Sequence, residues 1–330
     1  MKVSQSCFTI SLDFELHWGG FEKWALAKHR NYFLNTRKVI PEILMAFKNY
    51  QVHATWATVG LLLHRHQEEL KSVFPQLIPT YDQPVLGVSH YMSHHQIGIR
   101  EEQDPYHYAP SVIQKIVATE GQELASHTYA HYYCNEPGQT PEQFKADADA
   151  WNKAAEPFGV KTCSLVFPRN QFNRDYLQVC KQVGIKIIRT NPVDWWWKID
   201  STQRESKWKR FNRGFDAYFS IGGKTSYPLS SIQQNEGVWH LPASRLLRPY
   251  SSKEFVLNQI KINRIKGEMT LAAKNNECYH LWWHPHNFGG DPSKNIEGLV
   301  QILEHYKYLN QTYSMISLNM QEIASRLENA

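Results

Sequence analysis

Short β-branched or aromatic runs alternate with amphipathic helical stretches along almost the whole chain, a pattern typical of a parallel sheet or barrel. The predicted strands cover residues 7–13, 53–58, 122–126, 163–167, 185–189, 238–241, 279–283 and 314–317. The predicted helices lie near residues 36–50, 60–72, 111–119, 141–157, 173–183, 252–272, 293–309 and 319–328. We therefore expect an α/β fold, a distorted (β/α) barrel of about seven to eight units.

Two long intervals interrupt this alternation, at about residues 73–110 and 191–236. Such insertions in compact domains are usually functional loops. With 330 residues, 42% of them hydrophobic, the chain could form one large barrel or two smaller domains. Because no repeat, low-complexity tract or linker divides it, we expect a single domain over residues 1–330.

Composition and terminal sequence narrow the class of protein. No apolar run reaches about 18 residues, and the N-terminus lacks the order of a secretory signal, so we expect a cytoplasmic protein without a transmembrane segment. The five cysteines are spread out with no C-x-x-C pair, which indicates neither a disulfide framework nor a thiolate zinc site. The net charge of +5 comes without a basic run, so no nucleic-acid partner is predicted.

Side chains that bind metals or transfer protons follow several predicted strands at the point where each strand ends. They are Asp13, Glu15, His127, His131, Arg169, Asn191, Asp194, Ser244, His284 and His286. Active sites of α/β barrels lie at that end of the strands. We therefore expect these residues to converge on one site.

The two closest pairs suggest a division of labour. Asp13 and Glu15 alternate on an extended segment and face one side, so one carboxylate can bind a cation while the other handles protons. His127 and His131 are four residues apart, which would place both imidazoles on one side of a helical turn. No Glu follows the first histidine, which excludes the H-E-x-x-H protease helix. Taken alone, either pair is more often a solvated strand end or a chance spacing among the 16 histidines.

Four segments of the chain resemble motifs of the polysaccharide deacetylase family, carbohydrate esterase family 4 and its relatives. S-H-T-Y-A-H is similar to the family's H-[S/T]-x-x-H metal motif, A-T-W-A-T-V-G to its second strand, P-R-N-Q-F to its arginine motif and W-W-H-P to its last strand, at residues 126–131, 54–60, 168–172 and 282–285. The likeness runs from Phe8 to about Ser317. The first motif departs from the commonest form, since its carboxylates have the D-x-E spacing.

The resemblance implies roles for individual residues. Asp13 would be the general base and Glu15 a metal ligand beside His127 and His131, although the two carboxylates could exchange roles. Arg169 would orient the base. Phe172 would offer its backbone N–H to the oxyanion. The Asp-Trp pair at 194–195 is similar to the motif that tethers the arginine and walls the sugar groove.

Two imidazoles and one carboxylate leave open positions on a divalent ion, with Zn²⁺ the first choice and Co²⁺, Ni²⁺ or Fe²⁺ as alternatives. His284 would donate a proton to the departing amine. His286 is the alternative acid or a substrate contact, and either could instead be a packing histidine. Among the aromatic residues, Trp18 and Trp195 are the first candidates for stacking on sugar rings.

The leading hypothesis is a metal-dependent N-deacetylase that acts on an N-acetylated sugar or glycan in cytoplasmic assembly of a surface polysaccharide. A close variant hydrolyses another C–N amide, such as a formyl group or a ureide. A non-haem iron oxygenase also uses two His and one carboxylate, but it needs neither Asp13 nor an acid across the site. The remaining alternative is an inactive carbohydrate-binding relative.

Overall fold

The computed structural model describes residues 5–192, 194–198, 206–219 and 222–329. These residues form a sheet of ten strands. The strands are β1 (Cys7–Phe14), β2 (Ala54–Thr58), β3 (Gln122–Ser126), β4 (Ser164–Val166), β5 (Ile187–Thr190), β6 (Gln234–Asn235), β7 (Val238–Pro242), β8 (Arg245–Leu246), β9 (Cys278–Trp283) and β10 (Ile316–Ser317). Each of the eight predicted strands is present, and β6 and β8 are two short additions.

The sheet closes on itself as a distorted barrel. The strand order is β6-β7-β5-β4-β3-β2-β1-β9-β8, with β10 beside β1, and the pairings are parallel except that of β6 with β7. The N–H of Ala243 donates to the carbonyl of Thr190, and the N–H of Ser244 donates to that of His280. Ala243 and Ser244 follow β7 directly, so this segment bonds β5 on one side and β9 on the other. These bonds join the two halves of the strand order and close the sheet. The predicted distorted α/β barrel is confirmed.

Helices lie between successive strands. They are α1 (Leu26–Tyr50), α2 (Gln67–Val73), α3 (Val88–His94), α4 (Pro110–Val117), α5 (Pro141–Ala155), α6 (Leu177–Gln182), α7 (Lys207–Asp216), α8 (Phe255–Asn275), α9 (Pro292–Tyr313) and α10 (Met320–Glu328). Capping boxes begin α5, at Thr140 and Gln143, and α10, at Asn319 and Glu322, because these side chains satisfy N–H groups that the first turn leaves free.

Some predicted helix boundaries are wrong. Helix α1 begins ten residues earlier than expected and continues through Pro41. The stretch predicted as one helix over 60–72 is a short 3₁₀ turn at Gly60–Leu63 followed by α2. Both predicted insertions contain unpredicted helices, α3 and α7. Parts of the insertion at 191–236 lie outside the described residues.

The two faces of β1 explain how the barrel carries a polar site. All eight residues of this strand are buried. Phe8 packs on Tyr306 of α9, so one face supplies the layer between barrel and helices. On the other face, the hydroxyl of Ser11 lies 2.8 Å from Nε2 of His280 on β9. This face of β1 therefore carries polar side chains at Ser11 and, at the carboxyl end of the strand, at Asp13. Within the described ranges, no helix is long and apolar enough to cross a bilayer.

Candidate metal and acid–base site

The end of β1 and the loop after β3 bring together the three predicted metal ligands. Oε1 of Glu15 lies 3.0 Å from Nε2 of His127 and 3.3 Å from Nε2 of His131. All three side chains are buried, and one candidate ligand atom from each lies within 4.8 Å of the others. Burial would raise the pKa of Glu15, but the neighbouring rings of His284, His127 and His131 more than offset it, so that this pKa lies well below its ordinary value.

The two histidines do not lie on a helical turn, so that part of the prediction is wrong. Residues 127–131 form a loop, in which Thr128 and His131 have positive φ angles of 61° and 53°. Asp147 on α5 holds the loop by accepting the N–H groups of Tyr129 and Ala130 at 2.6 and 2.9 Å. The imidazoles therefore converge because a buried carboxylate fixes an unfavourable backbone.

The hydrogen bonds of the two rings suit a cation. Nδ1 of His127 lies 2.8 Å from the carbonyl of Val166, and because a carbonyl only accepts, Nδ1 must carry the proton. In the neutral ring, the lone pair of Nε2 then faces the acceptor-only carboxylate of Glu15. Nδ1 of His131 is similarly engaged, 3.0 Å from the hydroxyl of Tyr133. Such partners on the far nitrogen are usual for metal-binding histidines, so this donor set fits a divalent ion.

Asp13 lies beside the three ligands, and its partner is not the predicted one. Arg189 on β5 donates to both carboxylate oxygens of Asp13, at 2.6 and 2.7 Å. Burial would raise the pKa of Asp13, but the charge of Arg189, together with the neighbouring histidines, more than offsets it, so that this pKa is lowered. The expected contact of Arg169 with Asp13 is therefore corrected to Arg189.

Arg169 occupies a different part of the site. Its guanidinium pairs with Glu22 and lies 4.0 Å from the ring centre of Tyr133, the residue that contacts His131. Arg169 itself has a positive φ of 55°. This arginine is thus connected to the ligand shell through a tyrosine rather than to the base.

Of the two predicted acid histidines, His284 faces the carboxylates more openly. Its Nε2 lies 3.7 Å from Oδ2 of Asp13 and 3.5 Å from Oε1 of Glu15, and about a quarter of its side chain is exposed. His286 is buried, with Nδ1 3.9 Å from Oε2 of Glu15 and its ring against Trp24. Burial lowers the pKa of His286 to about 3, which leaves the ring neutral and unable to act as an acid near neutral pH.

The predicted sugar-contacting residues are dispersed. Trp18 is fully buried and its indole N–H donates to the carbonyl of His107 at 2.9 Å. It is therefore a core residue and not a stacking platform, because the 3₁₀ turn after Glu15 directs it inward. Asp194 accepts the N–H of Gly223, within the second insertion, and its role as a tether of an arginine stays a prediction.

A cavity of about 1380 Å³ lies beside the candidate metal site. Its lining includes none of the three candidate metal ligands. Phe172, Asp194 and Trp195 line it together with Trp197 and Tyr227. Asn191, also in its wall, donates to the carbonyl of Asn170, whose side chain accepts from Arg189. Two hydrogen bonds through Asn170 thus connect the cavity wall with the arginine that holds Asp13.

Three supporting residues were missed in the sequence. Arg189 and Asp147 are charged residues inside a strand and an amphipathic helix, where a charge usually faces solvent, and both are buried. A Cβ on Gly19 would lie 1.7 Å from Oε2 of Glu15, so only glycine leaves room for that carboxylate. The charge of Arg189 among the apolar residues of β5 was a usable signal, whereas Gly19 offered none.

The barrel fold and the converging carboxylate and imidazole groups form a candidate hydrolase site. The model of the polysaccharide deacetylase family matches residues 30–188, and the resemblance to this family predicted from the sequence is confirmed. That match includes His127, His131 and Arg169 but ends before His284 and begins after Asp13. No curated protein is significantly similar to the chain in sequence.

Solved structures agree on the fold. A candidate polysaccharide deacetylase of Mycobacterium smegmatis superimposes with a TM-score of 0.61 at 14% identity, over 99% of this chain and 91% of that one. Puue allantoinase gives 0.57 at 11%, over 99% and 92%. A candidate polysaccharide deacetylase of Pseudomonas aeruginosa PAO1 gives 0.56 at 11%, over 99% and 92%. At such low identities these likenesses establish the architecture alone.

Proposed function

We propose that this protein is a metal-dependent hydrolase that removes the N-acetyl group from an amino sugar. One observation carries the proposal: Glu15, His127 and His131 present converging ligand atoms, with Asp13 and His284 against the same group. The match to the polysaccharide deacetylase family model supports the reaction class. An oxygenase with two His and one carboxylate would not require the second carboxylate, its arginine or the additional histidine.

Glu15, His127 and His131 would hold the ion, for which the two nitrogens and one carboxylate favour Zn²⁺, with Co²⁺, Ni²⁺ or Fe²⁺ as alternatives. When bound, the ion would supply Lewis acidity toward the acyl carbonyl and the attacking water. The protein's own part is to hold both rings, through Val166 and Tyr133, so that their Nε2 atoms face Glu15.

Proton transfer falls to the side chains around the ligands. Asp13, ionised because its pKa is lowered, would take the proton of the attacking water, and Arg189 fixes the carboxylate from the opposite side. His284 would donate a proton to the departing amine. Each such transfer typically contributes about 10² to 10⁴ in rate. His286 stays neutral and would serve to position Glu15.

The cavity beside the site supports a sugar substrate larger than one acetamido group. Its wall combines the aromatic rings of Trp195, Trp197 and Phe172 with the amides of Asn135 and Asn173. Rings that stack on sugar faces, together with amides that bond hydroxyls, are what carbohydrate recognition requires. We propose that further parts of an N-acetylated sugar or glycan bind there.

We further propose a cytoplasmic reaction in the biosynthesis of a surface polysaccharide, within one domain over residues 1–330. All five cysteines are free thiols, which suits a reducing compartment.

The experiment that tests the proposal joins metal analysis to acetate release. His127→Ala should lose bound zinc and activity together, whereas His305→Ala, on the outer helix α9, should keep both. Acetate release is measured on acetamido sugars, with formamido and ureido compounds in parallel. Undiminished metal in His127→Ala would remove this residue from the ligand set, and metal-loaded protein that binds sugars without releasing any acyl group would identify an inactive relative.

A second comparison separates the two histidines. His284→Ala should lower kcat by about 10² or more while metal content is kept. His286→Ala should lower metal affinity first, because its ring lies against Glu15. If instead His286→Ala alone abolishes turnover at full metal occupancy, the assignment of the acid is reversed.

A further inference from the structure

The short helix α7 in the second insertion carries an exposed aromatic stripe. Trp208, Phe211 and Phe215 recur at helical spacing, and Phe219 follows just past the helix end. The side chain of Trp208 is 71% exposed, and that of Phe211 59%. Neighbouring rings touch, with centroids 6.0, 6.1 and 4.8 Å apart along the series. Four contiguous exposed aromatic rings exceed the scattered apolar residues that are normal on a protein surface.

The helix is attached by its polar side, which is the reverse of an ordinary surface helix. Arg213 donates to the carbonyl of Trp196 at 2.8 Å and lies over the ring of Trp197. Asp216 is buried and paired with Arg245 and Arg264. With the charged groups directed into the protein, the aromatic face is left to the solvent.

The apolar surface continues onto the start of α8. Phe255 and Val256 are 83% and 67% exposed. The hydroxyl of Tyr218 bonds the carboxylate of Glu254 at 2.6 Å, so the end of the stripe and the first turn of α8 are adjacent. We call the six exposed residues of these two segments the aromatic patch: Trp208, Phe211, Phe215, Phe219, Phe255 and Val256.

Basic residues flank the aromatic patch. Lys207 and Lys253 are exposed, and Lys209 bonds the carbonyl of Lys198. The nearby acids are already used, Asp216 by two arginines and Glu254 by Tyr218. Among the described residues named here, three lysines therefore stand against the single unneutralised carboxylate of Glu254, which leaves an excess of positive charge beside the patch.

We propose that the aromatic patch binds the surface of an anionic lipid membrane. Trp and Phe rings enter the interfacial layer of a bilayer, and flanking lysines pair with anionic headgroups. A second copy of this chain fits less well, because two-fold pairing of the patch would bring the lysines of both copies together.

The attachment of α7 has a consequence for the active site. The helix is bonded to residues 196 and 198, and Trp197 and Lys198 are part of the cavity wall. Docking of the patch would therefore place the cavity next to the headgroup layer. This interaction does not depend on the reaction proposed above.

Vesicle flotation of the full chain tests the proposal, with phosphatidylcholine vesicles that contain or lack phosphatidylglycerol. Wild type should bind the anionic vesicles and lose binding as salt is raised. Trp208→Ser with Phe211→Ser should weaken the partition constant by about tenfold or more. Lys207→Glu with Lys253→Glu should weaken it by at least about tenfold at low salt. Leu77→Ser with Tyr308→Ser, at exposed apolar positions elsewhere, should not change it.

Four results would overturn the proposal. Wild type could fail to bind anionic vesicles, or could bind neutral vesicles equally well. The control pair could lower binding as much as the patch variants do. Sedimentation velocity without lipid could reveal dimers that Trp208→Ser with Phe211→Ser abolishes, in which case the patch is an interface between copies. Thermal unfolding of each variant ensures that a loss of binding is not a loss of fold.

Discussion

Replacing Arg189 by methionine should destabilise the protein strongly, because it leaves a buried charge without its partner. The side chains of Arg189 and Asp13 are 1% and 3% exposed, with the nearest charged atoms 2.6 Å apart. Breaking such a buried pair costs about 3–5 kcal/mol. An unfolding entropy of about 2.1 cal/mol/K per residue gives about 0.7 kcal/mol/K for a chain of this length, so the melting temperature should fall by about 4–7 °C.

The matched comparison is a double-mutant cycle for unfolding. Asp13→Asn should recover much of the stability lost in Arg189→Met, because it removes the stranded charge, with a coupling energy of about 2–3 kcal/mol. The same cycle between Asp13 and Arg169 should give less than about 0.5 kcal/mol, since Arg169 pairs with Glu22 instead.

Denaturant unfolding of wild type, the three single variants and the two double variants, with and without a chelator, measures both cycles. Equal coupling of Asp13 to the two arginines would refute the reasoning. So would an additive cycle between Asp13 and Arg189. In activity assays, Arg189→Met should also lower kcat more than it raises KM, because the arginine orients the base and does not reach the cavity.

Three further predictions concern a glycine, an ion pair and a buried carboxylate. Gly19→Ala would place a Cβ 1.7 Å from Oε2 of Glu15, the proposed metal ligand. It should therefore lower zinc affinity by about tenfold or more in a metal titration. Gly267→Ala, at a position with open space around it, should leave zinc affinity unchanged. Bonding to Glu322 raises the pKa of His53, so the stabilisation by this pair is complete below about pH 6 and is lost as pH rises through the folded pKa. The difference in unfolding free energy between wild type and Glu322→Gln, below about 1 kcal/mol for this partly exposed pair, should therefore shrink as pH rises. A difference that stays constant with pH would contradict this prediction. Asp147→Leu should lower the free energy of unfolding by about 2–5 kcal/mol, because two buried N–H groups lose their acceptor. Asp147→Asn, which keeps one acceptor oxygen, should have an intermediate effect. Equal effects of the two substitutions would show that the acceptor does not matter.

Features set by neighbouring residues could be predicted from the sequence, whereas features set by contacts between distant segments could not. The strands of the barrel and the convergence of Glu15 with both histidines were predictable, because hydrophobic runs and strand ends are local properties. The helical interpretation of residues 127–131 was wrong, because Asp147, from a distant helix, fixes the loop. Arg189 was missed for the same reason, since its role exists only when β5 lies across the barrel from β1.

The positive φ angles at Thr128 and His131 indicate how the site is prepared. Each such backbone conformation costs on the order of 1 kcal/mol or more, and Asp147 offsets that cost from outside the ligand set by accepting two N–H groups of the loop. The far nitrogen of His127 is fixed as well. The ligand atoms are therefore arranged by folding rather than by the ion, so removal of the metal should leave the barrel folded and the imidazoles in place. Backbone amide exchange of residues 127–131 should then be similar with and without a chelator, and a large increase in exchange on chelation would mean that the ion itself builds the loop.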